Sequence, residues 1–339
     1  MGGYVPGEQP QEAGYIKLNT NENPYPPSPR VIDAIREALG AQLRLYPDPM
    51  ATALRRAAAR RYGLAPEQVL VGNGSDELLA LVLRACVDPG DGVAFPWPTY
   101  SLYDTLVTIE QGRVEKYPFE DSGALPRELW RCTARVIFLC HPNSPTGVGM
   151  PREEIADLLE RQANSLIVVD EAYVDFADWT AVEFLGRYPN LLVLRTFSKS
   201  FSLAGMRLGL AFASAETIAE LVKVKDSYNV DRLALVAGVA ALEDYAWMEQ
   251  NVTKIRATRQ RLTEGLRELG FVVPESQANF VWARQPGHDM GRLYDALKAQ
   301  RILVRYFPVA GLRDGLRITV GTDDEADALF AALHRLRSI

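Results

Sequence analysis

The sequence predicts an α/β fold: a mostly parallel central sheet flanked by helices, with a smaller α+β domain and an extended N-terminal arm. Short apolar runs alternate with helical segments between about residues 66 and 213, as in parallel sheets that are buried on both faces. After about residue 214 the pattern changes to long helical segments followed by separate strands, which is typical of an α+β unit. Residues 1–30 contain six prolines, and this content favours an extended arm.

Each element follows from its local pattern of apolar residues. In the first half, strands are predicted at 68–72, 135–140, 166–170 and 191–195, with helices at 77–85 and 152–161. The second half predicts helices at 215–225 and from 232 to about 269, then strands at 279–283, 301–305 and 316–320. We therefore expect three parts: the arm over residues 1–30, a large domain over 31–245 and a small C-terminal domain over 246–339.

Composition and charge argue against several classes of protein. The 339 residues include 37 Lys and Arg against 43 Asp and Glu, a net charge of −6, whereas a general nucleic-acid binder needs a basic face. The apolar runs are too short to span a bilayer, and the first ten residues lack the basic and apolar segments of a signal peptide. We expect a cytoplasmic protein that binds neither nucleic acid nor membrane.

Cysteine and histidine are too few and too scattered to indicate a metal site. Cys86, Cys132 and Cys140 are the three cysteines, and no pair has the C-x-x-C spacing. The three histidines form no H-E-x-x-H motif. The cysteines are interpreted as reduced thiols, which agrees with a cytoplasmic location, and no metal is expected.

A glycine-containing segment, GNGSDE at residues 72–77, lies between a predicted strand and a predicted helix. Glycines let a backbone approach an anion closely, and a helix N-terminus offers free N–H groups and a positive dipole end. A phosphate site is one interpretation; a tight turn with Ser75 or Asp76 as helix cap is the other. The segment is not G-x-G-x-x-G, because Glu77 occupies the last position, and a dinucleotide site therefore loses support.

Asp170 ends the predicted strand at residues 166–170. A carboxylate at the carboxyl end of a buried strand is costly to bury without a cationic partner. A role as helix cap or turn residue also stays open for Asp170, but it leaves Glu171 and Tyr173 unexplained. Ligands of parallel sheets bind at this edge.

Lys199 follows the predicted strand at 191–195 and lies among hydroxyl, aromatic and glycine residues, with Arg207 eight positions later. A lysine in a loop is usually solvated. After a buried strand it is partly desolvated, which lowers the pKa of its amine and makes it a nucleophile for a carbonyl. A Ser-Lys acyl-transfer dyad is less favoured, because the chain has no G-x-S-x-G elbow.

These three loops together suggest one site with an anion cradle, a buried acid and a reactive lysine. Pyridoxal phosphate needs this set, because its aldehyde, its ring nitrogen and its phosphate each require one of them. A series of short motifs runs in order through nearly the whole chain: LNTNENP (18–24), YPD (46–48), GNGSDE (72–77), PTY (98–100), PNSPTG (142–147), DEAY (170–173), SK (198–199), LAGMR (203–207), YNV (228–230), ANF (278–280) and LRITVG (316–321). By these motifs the sequence resembles the fold-type-I pyridoxal-phosphate-dependent aminotransferases, class II, and within them the histidinol-phosphate aminotransferase family.

The resemblance implies roles around the cofactor ring. Lys199 attaches the cofactor through a Schiff base and moves the substrate proton, and Asp170 pairs with the pyridinium nitrogen. Tyr173 and Asn143 bond the phenolic oxygen, and Tyr100 stacks on the ring. The common family loop has Asn directly before Pro-Thr-Gly, where this chain has Ser144. Whether Asn143 or Ser144 makes that contact stays open.

The resemblance also implies anion sites and a partner subunit. The cofactor phosphate is assigned to Gly74, Ser75, Asp76, Ser198 and Arg207. Tyr46 reaches the phosphate of the neighbouring subunit in this family, so a homodimer is expected. For the substrate, Arg317 binds the α-carboxylate bidentately, Arg305 is a second anion site, and Tyr4 and Asn21 lie close to the bound molecule.

The implied reaction is ping-pong transamination, in which L-histidinol phosphate and 2-oxoglutarate give imidazole-acetol phosphate and L-glutamate, a step of histidine biosynthesis. The partners are thus a small amino donor and a 2-oxo acid. An aromatic amino acid aminotransferase is the nearest alternative, because apolar pockets discriminate only modestly. A threonine-phosphate decarboxylase would use the same Lys199, Asp170 and Arg207. A cofactor-binding regulator without catalysis is less favoured, because Lys199 is present.

Overall fold

The computed structural model describes residue 3 and residues 6–336. Its strands are β1 (Ile16–Lys17), β2 (Val69–Gly72), β3 (Gly92–Trp97), β4 (Arg113–Pro118), β5 (Val136–Cys140), β6 (Leu166–Asp170), β7 (Leu191–Thr196), β8 (Gly209–Phe212), β9 (Phe280–Arg284), β10 (Ile302–Leu303), β11 (Arg305–Tyr306) and β12 (Gly315–Thr319). Its α-helices are α1 (Pro29–Ala38), α2 (Thr52–Tyr62), α3 (Gly74–Cys86), α4 (Leu102–Ile109), α5 (Arg152–Arg161), α6 (Ala215–Val224), α7 (Arg232–Glu243), α8 (Tyr245–Glu268), α9 (Gly291–Ala299) and α10 (Asp323–Leu336).

A seven-stranded sheet forms the centre, in the order β2-β8-β7-β6-β5-β3-β4. Strands β3, β4, β5, β6 and β7 all run parallel to one another. Strand β8 runs antiparallel to both of its neighbours, β7 and β2. The predicted α/β fold with a mostly parallel sheet is therefore confirmed. Three strands of this sheet were not predicted from the sequence: β4 is a charged edge strand, β3 contains a proline, and β8 has four residues after a loop.

The core lies on both faces of this sheet, because successive strand residues point to opposite sides. Val169 of β6 packs in the apolar cluster that includes residues of α2, α5 and α7, whereas Val168 packs in the cluster that includes residues of α3, α4 and α6. The continuous apolar runs are thus explained by burial on both sides. Both faces of the sheet are thus covered, and the polar residues Asp170 and Thr196 lie at its carboxyl edge.

The C-terminal part contains an antiparallel sheet in the order β11-β12-β9. Strand β1 of the arm pairs in parallel with β10, which ties the arm to this part of the chain. Two predicted elements are each divided in the structure. The segment from 232 to about 269 is two helices, α7 and α8, because the chain leaves helical geometry at Asp244. The strand predicted at 301–305 is two short strands, β10 and β11, which belong to different sheets. The division of the chain at residue 245 stays a prediction.

Within residues 6–336, no helix is long and apolar enough to cross a membrane. The same range holds no group of three or more His, Cys, Asp or Glu side chains arranged to bind a metal ion.

Candidate active site

A cavity of about 720 Å³ opens at the carboxyl edge of the central sheet. Cys140, Asp170 and Thr196, the last residues of β5, β6 and β7, all line it. The start of α3, the arm and the β11–β12 pair complete the wall. The parallel strands therefore bring together loops that are far apart in the sequence, at the edge where such sheets bind ligands.

Asp170 is buried at the bottom of this cavity, with 2% of its surface exposed. Tyr103 Oη donates to its Oδ2 at 2.8 Å, and the Ala172 N–H donates to its Oδ1 at 3.2 Å. It forms no ion pair with any described residue, and burial raises the pKa of its carboxyl to about 6. A cationic group of a ligand would remove this penalty.

Lys199 points into the same cavity. Its Nζ donates to the Thr20 carbonyl at 3.2 Å and lies 5.7 Å from the centre of the Tyr173 ring. Burial, with the nearby positive charge of Arg317, lowers the pKa of the amine to about 8. More of it is neutral near pH 7 than of a solvated lysine, as a nucleophile or a base requires.

Three side chains that can donate hydrogen bonds to an anion line the cavity at the start of α3, and this group is called the anion cradle: Ser75, Ser198 and Arg207. Asp76 also lines the cavity there, with its Oδ2 3.4 Å from Arg207 Nη2. The helix has no side-chain cap at Asn73, so its first N–H groups are available to a ligand. Ser75 and Asp76 lie inside the first turn and do not cap it. Gly74 has φ of +79°, a conformation that strains other residues, and a Cβ there would lie 2.8 Å from Arg207 Nη2 and displace that guanidinium.

Two tyrosines of the cavity wall are held by polar neighbours. Tyr100 Oη donates to Asp76 Oδ1 at 3.2 Å. Tyr173 Oη accepts from Asn21 Nδ2 at 3.1 Å, and its ring meets Phe280 edge-on with centroids 4.9 Å apart. Burial raises the pKa of Tyr173 to about 12. Tyr173 is therefore protonated at neutral pH and available as a hydrogen-bond donor.

Two arginines face each other across neighbouring strands at the outer end of the cavity. Arg317 of β12 and Arg305 of β11 are direct cross-strand partners. Arg317 Nη1 donates to Ser144 Oγ at 3.1 Å, and Arg305 Nη1 donates to the Pro6 carbonyl at 3.0 Å. Like charges directly opposite each other are unfavourable in a sheet, so the pair favours a bound anion.

Comparison with protein families agrees with this geometry. The model of "Aminotransferase class I and II" matches residues 13–333. This chain belongs to that aminotransferase family. Among its relatives, the histidinol-phosphate aminotransferase of Microcystis aeruginosa is 45% identical, over 98% of this chain and 95% of the relative. That of Syntrophotalea carbinolica is 48% identical, over 98% and 96%.

Solved structures of aminotransferases have the same fold. The histidinol-phosphate aminotransferase of Sinorhizobium meliloti, crystallised with pyridoxal-5'-phosphate, has a TM-score of 0.86 and 29% identity, over 94% of this chain and 91% of that one. An L-threonine-O-3-phosphate decarboxylase from Porphyromonas gingivalis has a TM-score of 0.85 at 22% identity, over 96% and 100%. At that identity the second likeness shows the fold alone.

In this aminotransferase the cavity gathers most of the side chains predicted from the sequence. Its lining includes Asn21, Ser75, Asp76, Tyr100, Asp170, Tyr173, Ser198, Lys199, Arg207, Arg305 and Arg317. Gly74 lies directly behind Arg207. Tyr4 lies outside the described residues.

Asn143, one of the two candidates for the contact with the phenolic oxygen, does not line the cavity, and that contact stays a prediction. Its side chain is fully buried, and its amide is used within the protein. Oδ1 accepts from Thr99 Oγ1 at 2.9 Å, while Nδ2 donates to the Pro98 carbonyl at 3.0 Å and to Thr146 Oγ1 at 2.9 Å. Asn143 therefore holds its loop, and Ser144 lines the cavity in its place.

Tyr46 lies outside the cavity of its own chain. It is 76% exposed and stacks on Tyr228, with ring centroids 4.3 Å apart. Contact with a neighbouring subunit stays a prediction.

Sequence reasoning missed two residues of the site. Tyr103 bonds Asp170, and Thr319 bonds Asn21. Tyr103 gave no signal, because a tyrosine among the apolar residues of a helix is usually part of the core. Thr319 gave none, because a threonine in a strand is common.

Proposed function

We propose that this chain is a pyridoxal-phosphate-dependent transaminase that converts L-histidinol phosphate and 2-oxoglutarate into imidazole-acetol phosphate and L-glutamate. The observation that carries the proposal is that Lys199, Asp170 and the anion cradle meet in one cavity. The choice of substrate is supported by relatives 45% and 48% identical over 98% of the chain, whose names state that activity.

The residues of the cavity fit pyridoxal phosphate. Asp170 is a buried carboxylate without an ion-pair partner among the described residues, and it matches a protonated ring nitrogen. The anion cradle, with Gly74 behind it, matches the phosphate. Lys199 matches the aldehyde carbon. When bound, the cofactor supplies an electron-withdrawing ring that stabilises negative charge at the α-carbon of the substrate.

The side chains divide the remaining work. Asp170 keeps the proton on the ring nitrogen, because a buried carboxylate stabilises an adjacent cation. Lys199 would hold the cofactor through its amine and, once that amine is free, would move the proton of the substrate α-carbon. Tyr173 would donate to the phenolic oxygen of the cofactor, and Tyr100 would pack against its ring.

The paired arginines suit both substrates. Glutamate carries two carboxylates, and histidinol phosphate carries a phosphate close to its amine. A guanidinium binds either group through two parallel hydrogen bonds. Arg317 and Arg305 lie on adjacent strands, so one site can receive the two substrates in turn, as a ping-pong reaction requires.

Absorbance of the bound cofactor tests this function. We expect L-histidinol phosphate, added without an oxo acid, to abolish the visible band at low concentration and to yield imidazole-acetol phosphate. L-Phenylalanine and L-threonine phosphate, in separate samples, should have little effect. A stronger response to phenylalanine would indicate an aromatic aminotransferase. Release of carbon dioxide from threonine phosphate would indicate the decarboxylase, and a protein that never binds pyridoxal phosphate would contradict the proposal.

We also propose that the active unit is a homodimer, with Tyr46 of each chain completing the anion cradle of the other. Tyr46 ends a segment with several exposed apolar side chains, Ile32, Leu39, Leu43 and Leu45. Such a patch is typical of a surface that another chain covers.

Hybrid dimers test the position of Tyr46. We expect Tyr46→Phe to weaken cofactor binding, because the phosphate loses a hydroxyl donor. In a purified hybrid dimer, one chain carries Tyr46→Phe and the other carries Lys199→Ala. If Tyr46 acts across the interface, one of the two sites of this dimer has both residues intact. Its activity at limiting cofactor should exceed the mean of the two separate variants. Activity equal to that mean would place Tyr46 in its own chain's site.

The stability of the cofactor-free protein should depend on Asp170. Burial raises its pKa from 3.8 to about 6, so between these pH values the folded chain holds a proton that the unfolded chain releases. The free energy of unfolding therefore falls as pH rises through this window, by up to about 3 kcal/mol at this site. Urea unfolding from pH 3 to 7 should show Asp170→Asn gaining stability relative to the unsubstituted protein as pH rises. A difference independent of pH would contradict the assignment.

A further inference from the structure

We infer that Thr319 and Asn21 fix the direction of the hydrogen bond at Tyr173, so that Tyr173 Oη must donate its own proton into the cavity. Both are positioning residues, since they act through Tyr173. The inference rests on the proposed function, because the acceptor in the cavity is the phenolic oxygen of the cofactor.

A chain of hydrogen bonds connects the three side chains. The Asn21 backbone N–H donates to Thr319 Oγ1 at 3.0 Å, and Thr319 Oγ1 donates to Asn21 Oδ1, also at 3.0 Å. Asn21 Nδ2 then donates to Tyr173 Oη at 3.1 Å. Asn279 Nδ2 donates to the Asn21 carbonyl at 3.0 Å. Every polar group of Asn21 is thus in use, and Asn21 is 1% exposed.

The direction follows from counting protons. Thr319 Oγ1 accepts the Asn21 N–H, so its single proton needs an acceptor elsewhere. Across the described residues its acceptor is Asn21 Oδ1. With the amide turned over, Nδ2 would face Thr319, and the buried hydroxyl proton would lose its acceptor. Buried polar groups are rarely left unpaired, so Oδ1 faces Thr319 and Nδ2 faces Tyr173.

The consequence falls on Tyr173. Its Oη accepts the proton of Asn21 Nδ2, and its own proton has no acceptor among residues 6–336. Because Tyr173 lines the cavity, that proton is directed at a ligand. A hydroxyl that already accepts a hydrogen bond is also a stronger donor.

Asparagine suits this position for a second reason. Asn21 has φ of 57°, a left-handed conformation that asparagine tolerates better than most residues. This turn of the arm lets one residue bond Thr319 of β12 and also Tyr173 in the loop after β6. The orientation of the Tyr173 hydroxyl therefore depends on a residue of the arm that contacts both parts of the chain.

Reversing the bond tests the inference. In Asn21→Asp a carboxylate accepts the Tyr173 proton, so the phenolic oxygen of the cofactor loses its donor. Without that donor the phenolic oxygen would keep more negative charge. This charge would bind a proton more tightly to the neighbouring nitrogen, through which Lys199 would be attached. Losing the donor should therefore raise the pH midpoint of the visible absorbance change by on the order of one unit, which corresponds to a tenfold higher affinity of the nitrogen for its proton.

A double substitution separates this effect from the added charge. In a Tyr173→Phe background the new carboxylate keeps its charge but has no hydroxyl to capture. We expect Asn21→Asp to raise the midpoint there by less than a third of its effect in the unsubstituted protein. Other charged groups of the cavity wall, such as Glu22, Asp76, Asp170, Arg207, Arg305 and Arg317, are the same in both backgrounds, so their influence cancels.

Substitutions at Thr319 give an independent measurement that adds no charge. Thr319→Ser keeps the hydroxyl and should leave the midpoint within about 0.2 unit, whereas Thr319→Val should raise it. Near-ultraviolet circular dichroism and saturating cofactor exclude unfolding and partial occupancy as causes. Equal midpoint shifts by Asn21→Asp in both backgrounds, or equal effects of the serine and valine variants, would overturn the inference alone. The absence of a visible band in the unsubstituted protein would overturn it together with the proposed function.

Discussion

The Lys199→Ala variant is expected to transaminate at least about 10⁴-fold more slowly than the unsubstituted protein, because the chain loses its proton-transfer base together with its attachment to the cofactor. Lys199 Nζ is the amine that the cavity desolvates, with a pKa lowered to about 8. The measurement is kcat with L-histidinol phosphate and 2-oxoglutarate at saturating cofactor. The variant should also lose its cofactor on dialysis.

Two further variants control this experiment. Lys223→Ala removes an exposed lysine of α6 that pairs with Glu220, and its kcat should stay within about twofold, because exposed pairs contribute little. Lys199→Arg keeps the positive charge but offers no amine that is neutral near pH 7, and it should be as inactive as the alanine variant. A Lys199→Ala protein within tenfold of the unsubstituted rate would refute the role of Lys199.

Arg195→Met is expected to destabilise the fold by about 3–5 kcal/mol, the usual cost of breaking a buried ion pair from one side. Arg195 is 7% exposed. Its Nη1 lies 2.9 Å from Glu171 Oε2, and its Nη2 lies 2.5 Å from Asp175 Oδ1. Removing the guanidinium leaves the buried carboxylate of Glu171 and the partly buried carboxylate of Asp175 without a cation. The change in the free energy of unfolding would be measured in urea on the cofactor-free protein.

Arg187→Met is the matched control for Arg195. Arg187 pairs with Glu160 at 2.5 Å, but its side chain is 65% exposed, so its loss should cost less than about 1 kcal/mol. Equal costs for the two variants would show that burial does not govern the Arg195 pair. The ion pairs of Arg195 are also connected to the active site, because Ser200, next to Lys199, donates a hydrogen bond to Asp175. Cofactor affinity is therefore expected to fall in the Arg195 variant as well.

The sequence was most informative about residues that directly follow buried strands. Asp170 ends β6, and Lys199 follows β7 by three positions. Since the carboxyl ends of parallel strands share one edge, local patterns were enough to place both in one site. The pattern failed where a strand does not read as apolar: β4 lies at the sheet edge and carries charges on its exposed positions.

The sequence alone determined the α/β fold, its mostly parallel sheet, and the lysine and aspartate at its edge, because these depend on periodicity and chain order. The tertiary structure decided which neighbouring side chain reaches the cavity. The side chain of Asn143 forms hydrogen bonds within its own loop, whereas Ser144 contacts Arg317. The conformation of the loop determines which of the two side chains faces the cavity. The tertiary structure also joined Asn21 to Thr319, 298 positions apart. A hydrogen bond between two such distant residues leaves no periodic trace in a single sequence, so only the folded chain reveals it.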